Sequence, residues 1–175
     1  MKDSLVIAGG CFWCLDAVYR QVAGVIDVIS GYTGGHTAKP DYQQVCAGGS
    51  GHAEAVEVVF DPQVIIREQI MELFFVSHDP TTLNRQGHDV GTQYRSALFY
   101  RSEAEREFFT EQIHLAQQNW DDPIVTTVER LGKFHLAEPI HQDFYANNPY
   151  SGYCQVIINP KVARVRQYYS SWLKI

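Results

Sequence analysis

The chain has 175 residues, 45% of them hydrophobic and 19% charged, with a net charge of −6 and an isoelectric point near 5.6. That balance suits one globular domain over residues 1–175 with a sizeable core of its own, and the scattered Lys and Arg exclude a basic face for nucleic acid or for a membrane surface. The apolar run Leu5 to Ala8 is too short for a signal-peptide core or a membrane span, so a cytoplasmic monomer is the expectation, with no nucleic acid and no membrane among its partners.

Residues 4–8 read as a buried strand, and Gly9 and Gly10 make a turn. The apolar positions Cys11, Cys14, Leu15, Val18, Tyr19 and Val22 then repeat at helical spacing. Val25 to Ser30 reads as a second strand, parallel to the first across the helix. Further strands are predicted at Glu54 to Phe60, Tyr94 to Tyr100 and Ile124 to Arg130. Helices are predicted at 66–77, where Ile70, Leu73, Phe74 and Ser77 line one face, at 102–119 behind a Ser102/Glu105 capping box, and at Lys161 to Leu173. The predicted fold is α+β: a mixed or antiparallel sheet packed by helices in a two-layer sandwich. Three stretches, 31–53, 78–93 and 146–154, fit no element and read as long functional loops.

Candidate chemistry begins with Gly9-Gly10-Cys11-Phe12-Trp13-Cys14. Cys11 falls at a helix start, where free N–H groups and the helix dipole favour a thiolate, so its thiol is expected to ionise below about 8.5. The competing reading is a buried structural cysteine. Cys14, one turn on, is either a core thiol or a second redox centre, and the spacing permits a Cys11–Cys14 disulfide. Cys46, in the glycine loop beside no obvious partner, reads as structural or incidental. Cys154 follows the turn-rich Pro149-Tyr150-Ser151-Gly152-Tyr153, so it is either a mobile thiol or a buried residue opening a strand. Glu54, between alanines at a strand start, is a proton donor if buried and an ordinary strand-end carboxylate if not. Tyr42 and Tyr94 could offer hydroxyls to a substrate oxygen. No second closely spaced Cys or His pair accompanies Cys11-x-x-Cys14, and no Walker-type glycine loop follows a strand, so no metal and no other cofactor is expected.

Several long motifs in order resemble the A class of peptide methionine sulfoxide reductases: Gly10-Cys11-Phe12-Trp13, Gly31-Tyr32-Thr33-Gly34-Gly35, Pro40-Asp41-Tyr42, Gly51-His52-Ala53-Glu54-Ala55, His78-Asp79-Pro80-Thr81-Thr82, Gly87 to Ser96, and Tyr153-Cys154. The resemblance implies reduction of the S-epimer of methionine sulfoxide, free or in oxidised proteins. Cys11 would attack sulfur, Glu54, Tyr42 and Tyr94 would surround the oxygen, and Phe12 and Trp13 would hold the methyl group. It also implies that Asp89 orients neighbours, that Cys154 resolves a Cys11 sulfenic acid as a disulfide, and that thioredoxin reduces that disulfide. The chain departs from the family at Cys14, where glycine is common, which adds a possible second resolving thiol. A general thiol–disulfide oxidoreductase working through Cys11 and Cys14 is the alternative.

Overall fold

The computed structural model describes residues 1–174. Its elements are β1 (Asp3–Ala8), α1 (Phe12–Arg20), β2 (Val25–Thr33), α2 (Tyr42–Cys46), β3 (Ala53–Phe60), α3 (Arg67–Ser77), β4 (Arg85–Gln86), β5 (Asp89–Val90), β6 (Ala97–Tyr100), α4 (Glu103–Ala116), β7 (Thr127–Arg130), β8 (His135–Leu136), α5 (Phe144–Asn147) and α6 (Asn159–Tyr168). Six strands form a mixed sheet in the order β7-β6-β1-β3-β2-β8, in which only the β6–β7 pairing is parallel. β1 and β2 run in the same direction as predicted, but β3 is inserted between them, antiparallel to both.

Period-two alternation decides which side chain meets which layer. Leu5 and Ile7 of β1 and Val56, Val58 and Phe60 of β3 join the main core with α1, α3, α6 and Phe109 of α4. Val6, Ala8, Ala53 and Ala55 face the other way, into a small cluster closed by Leu131 and Phe134. The fold is therefore the α+β arrangement expected, with its helices on one face. Glu54 shares the helix-facing parity of Val56 and Val58 but lies at the start of β3, where it meets the first turn of α1.

The boundaries differ from the sequence reading for local reasons. β2 continues to Thr33, so the first loop starts at Gly34 and is interrupted by α2, capped by Asp41 Oδ1 accepting from Gln44 N–H at 2.8 Å. Tyr94 is not in a strand: Tyr94 N–H donates to Gly91 O and Arg95 N–H to Thr92 O, closing a 3₁₀ turn before β6. The strand expected from Ile124 starts at Thr127. Ser102 caps α4 by accepting from Glu105 N–H, but the Glu105 carboxylate turns instead to Arg101 N–H and Arg67, so the capping box is half formed. The last helix ends at Tyr168, and Leu173 bridges to Val22. The apolar run after Cys154 is not a strand; residues Cys154–Ile158 form a π-helical turn that leads into α6.

Candidate active site

Cys11 is the N-cap of α1, in extended conformation, and the residue is 6% exposed. Gly10 before it has φ +83°, and a Cβ there would fall 2.7 Å from the Gln86 side chain, so the turn into α1 packs directly beneath the β4–β5 hairpin. The freed N–H of Phe12 donates to Glu54 Oε1 at 3.1 Å, which brings the Glu54 carboxyl close to Cys11. Glu54 is fully buried. Burial pushes its pKa up to about 8 against the opposing pull of the Phe12 N–H and the Cys11 thiol, so the carboxyl is protonated at neutral pH. Its Oε2 has no hydrogen-bond partner among the described residues. A buried oxygen left unpaired costs about 1–3 kcal/mol and marks where an incoming polar group fits.

The expected low-pKa thiol is corrected here. Burial, then the nearby Glu54 carboxyl, raise the Cys11 thiol well above its ordinary value. The helix N-terminus that was to stabilise a thiolate spends its first N–H on Glu54, and desolvation exceeds what the helix dipole returns. In the resting site both groups carry protons.

Aromatic rings wall the site. Trp13 stacks on Phe144 with centroids 3.7 Å apart and donates Nε1–H to Nδ1 of His141 at 3.1 Å. The His141 ring in turn lies 4.4 Å from Tyr42 and 5.5 Å from Phe12. Tyr42, at the start of α2, and Tyr94, in its 3₁₀ turn, are half-buried, and both phenols sit beside the Cys46 thiol. Burial, with Glu54 nearby, raises both phenol pKa values, so each hydroxyl is available as a donor. Asp89, on β5, accepts from the Tyr153 hydroxyl at 2.8 Å, and that hydroxyl lies 3.9 Å from Cys14 Sγ. Cys14 itself is buried on α1, and burial raises its thiol pKa.

Sequence reasoning missed several participants. His141 and Glu138 come from a segment given no role. Glu138 accepts from the Tyr32 hydroxyl at 2.8 Å and from Tyr42 N–H at 3.1 Å, which pins α2 against β2. Cys46, taken as structural or incidental, borders the two phenols. Tyr153, present in a turn and in the Tyr153-Cys154 motif but given no role, places its hydroxyl between Asp89 and Cys14. Conversely, His78 is a buried pin between Phe74 O and Ser96 Oγ, with its pKa lowered to about 4 by burial. Cys154 is fully buried in the π turn, and all four cysteines are free. Among the described residues no group of three or more His, Cys, Asp or Glu could hold a metal, and no helix is long and apolar enough to cross a membrane.

Residues 3–173 match the family model for peptide methionine sulfoxide reductase. The chain belongs to the peptide methionine sulfoxide reductase family. A peptide methionine sulfoxide reductase MsrA from Paenarthrobacter aurescens (strain TC1) is 61% identical over 170 residues, 97% of this chain and 98% of the relative. The crystal structure of reduced Mxr1 from Saccharomyces cerevisiae superposes with a TM-score of 0.83 at 34% identity, covering 87% of this chain and 89% of that one. Mxr1 in complex with Trx2 superposes at 0.59 with 25% identity, over 82% of this chain and 84% of that one. Family membership makes the chain an oxidoreductase acting on sulfur, a methionine sulfoxide reductase of the MsrA type.

Proposed function

We propose that the chain, acting as one catalytic unit, reduces the S-epimer of methionine sulfoxide, free or in oxidised proteins, with Cys11 as nucleophile and Glu54 as acid. The observation that carries this reading is the buried, protonated Glu54, with an unpartnered oxygen, beside a cysteine at a helix start and inside an aromatic wall. A sulfoxide oxygen leaves sulfur only when protonated, and Glu54 holds its proton at neutral pH for that purpose. Tyr42 and Tyr94 donate to the same oxygen as charge develops. Phe12 and Trp13 take the methyl group. With oxygen donors on one side and apolar rings on the other, the site is handed, and one epimer fits.

The proton balance follows from the two raised pKa values. Glu54 gives its proton to the sulfoxide oxygen and, once a carboxylate, receives the Cys11 proton as sulfur attacks sulfur. Net, the sulfoxide and the Cys11 thiol become methionine and the Cys11 sulfenic acid. The Cys154 thiol then attacks the Cys11 sulfur, forming a disulfide and releasing water, and a dithiol reductant restores both thiols by exchange. Thioredoxin is the proposed reductant, supported by a relative that crystallises with Trx2. Asp89 steadies Tyr153 beside Cys14, and Cys14 is the competing resolving thiol. A general oxidoreductase would have no use for the neutral Glu54.

The test is turnover of each epimer with dithiothreitol by wild type, Cys11→Ser and Glu54→Gln. Turnover of the S-epimer alone, lost in Cys11→Ser and strongly reduced in Glu54→Gln, is the expected result. Wild-type turnover of neither epimer, or of both equally, overturns the proposal.

A further inference from the structure

Outside the wall formed by Trp13 and Tyr42 lies an open cavity of about 500 Å³ bordered by both of these rings and by Ile140, Phe144, Asp41 and Glu138. Its floor is apolar: Trp13 and Phe144 stack face to face, and Ile140 is 67% exposed with nothing covering it. Its rim is acidic. Asp41 is exposed and uses only one carboxylate oxygen to cap α2, at Gln44 N–H. Glu138 is charged: burial alone would raise its pKa, but hydrogen bonds including those from the Tyr32 hydroxyl and Tyr42 N–H hold it below the ordinary value. No Lys or Arg lines the cavity, and His141, which does, is kept neutral by burial.

Trp13 and Tyr42 belong to both the cavity and the proposed sulfoxide site, so a peptide with its oxidised methionine in that site carries a neighbouring side chain over this shelf. Consecutive residues advance about 3.3–3.6 Å, within reach of a long side chain. We infer that the shelf binds an Arg or Lys adjacent to the oxidised methionine in protein substrates, its aliphatic stem on Ile140 and the aromatic rings and its cationic head toward Asp41 and Glu138. Arg suits it better than Lys, because a planar guanidinium stacks on an aromatic face and pairs with a carboxylate at once. An acidic neighbour meets two carboxylates and no cation. A leucine covers the apolar floor but leaves the rim unpaired. The chain's net charge of −6 draws basic substrates in the same direction.

This inference rests on the proposed sulfoxide reduction, and one experiment separates the two. Peptides of the form acetyl-X-Met(S-sulfoxide)-X-amide, with X as Arg, Leu or Glu, are compared with free methionine S-sulfoxide at low and at 0.5 M salt. The expected kcat/KM for X as Arg is about fivefold above Leu and further above Glu, carried by KM, with the Arg advantage shrinking at high salt. Asp41→Asn, which keeps a good helix cap, should cut the Arg-to-Glu ratio about threefold. Reduction of all peptides with equal kcat/KM, or a preference indifferent to salt and to Asp41→Asn, overturns the shelf and leaves the reaction standing. No reduction of free sulfoxide or of any peptide overturns the reaction itself, and the shelf with it.

Discussion

Cys11 lies where strand β1 turns into α1, while Cys154 lies in a π-helical turn between α5 and α6; both are buried, and they are held by different elements. Around Cys11 the parts are fixed by the central sheet. Glu54 is set by β3, Phe12 N–H meets it at 3.1 Å, and Arg95 ties the glycine loop down through Gly51 O and a two-bond pair with Glu129. At Gly35 a Cβ would come within 2.4 Å of Ser50 O, so that loop packs backbone on backbone. Around Cys154 the support comes from core packing, the Tyr153–Asp89 tie and local hydrogen bonds, not from a strand. Its N–H is held by Ser151 Oγ at 3.1 Å, the turn has the wide π pitch, and α5 opens on Asp143 in a left-handed conformation steadied by Arg20 at 3.4 Å. π turns recur at functional sites, and a non-glycine left-handed residue is a strained one. The difference teaches that, in the proposed mechanism, oxygen removal uses groups already in place, whereas resolution by Cys154 requires a buried segment to rearrange.

The hardest blow to the fixed half is Cys11→Ser. It should abolish sulfoxide reduction, by at least about 10⁴-fold, because a serine hydroxyl in the same buried place is a far weaker nucleophile. Residual multiple turnover above a hundredth of wild type in a dithiothreitol assay would move the nucleophile elsewhere. Glu54→Gln comes next, with an expected loss of about 10²–10³-fold in kcat/KM for a missing general acid. The pH profile carries the sign. Protonated Glu54 is the active form, so wild-type kcat/KM should fall as pH rises through about 8, and that limb should vanish in Glu54→Gln. Stability follows the same proton. The folded carboxyl binds it more tightly than an unfolded glutamate of ordinary pKa 4.5, so wild-type stability falls as pH rises from there toward 8. Glu54→Gln should therefore melt with wild type at pH 4.5 and above it, by about 5 °C, at pH 8.5 in a thermal denaturation series.

For the Cys154 segment, Cys154→Ser should still reduce about one equivalent of sulfoxide per chain in a rapid-quench burst while losing turnover with thioredoxin. Cys14→Ser should change thioredoxin-supported turnover less than about threefold. Peptide mapping after one equivalent of substrate without reductant distinguishes the routes: a Cys11–Cys14 linkage in wild type would transfer resolution to the fixed helix and erase the contrast drawn above.

The same division governs what could be read in advance. β1, α1, β3 and α3 were legible from local signals: short apolar runs bounded by turns in β1 and β3, and helical spacing in α1 and in α3, where Ile70, Leu73, Phe74 and Ser77 share one face, all of them buried. Cys11, Glu54, Tyr42 and Tyr94 were legible as candidates because loops and element ends framed them. The Cys11 pKa was misjudged because helix position is local and desolvation is not. After Cys154 the β-branched Val156, Ile157 and Ile158 keep a strand open as one alternative, although buried Cys154, Ile158, Val162 and Val165 carry a helical spacing. His141 and Glu138 left no such trace. Their partners Trp13, Tyr32 and Tyr42 lie 96 to 128 positions away, so only the assembled sheet creates the contacts.

A modest expected effect is the most direct probe of the Cys154 segment. Tyr153 immediately precedes Cys154, and its hydroxyl, donating to Asp89 at 2.8 Å, fastens the π turn to the β4–β5 hairpin above Cys11. A hydrogen bond to a charged acceptor contributes about 1.5–3 kcal/mol when buried, and somewhat less for this half-buried pair. Tyr153→Phe keeps the ring, and with it the edge-on contact to Trp13 at 5.6 Å, while removing the hydroxyl that anchors to Asp89 and lies 3.9 Å from Cys14 Sγ. If Cys154 must leave its present turn to reach Cys11, losing about 1 kcal/mol of anchorage makes the open arrangement about fivefold more populated. Disulfide formation after a single turnover, followed by rapid quench and thiol counting, should then speed up by about that factor. A rate unchanged or slowed would mean that Asp89 and Tyr153 hold Cys154 ready instead of holding it back, and the resolving segment would join the preorganised side of the molecule.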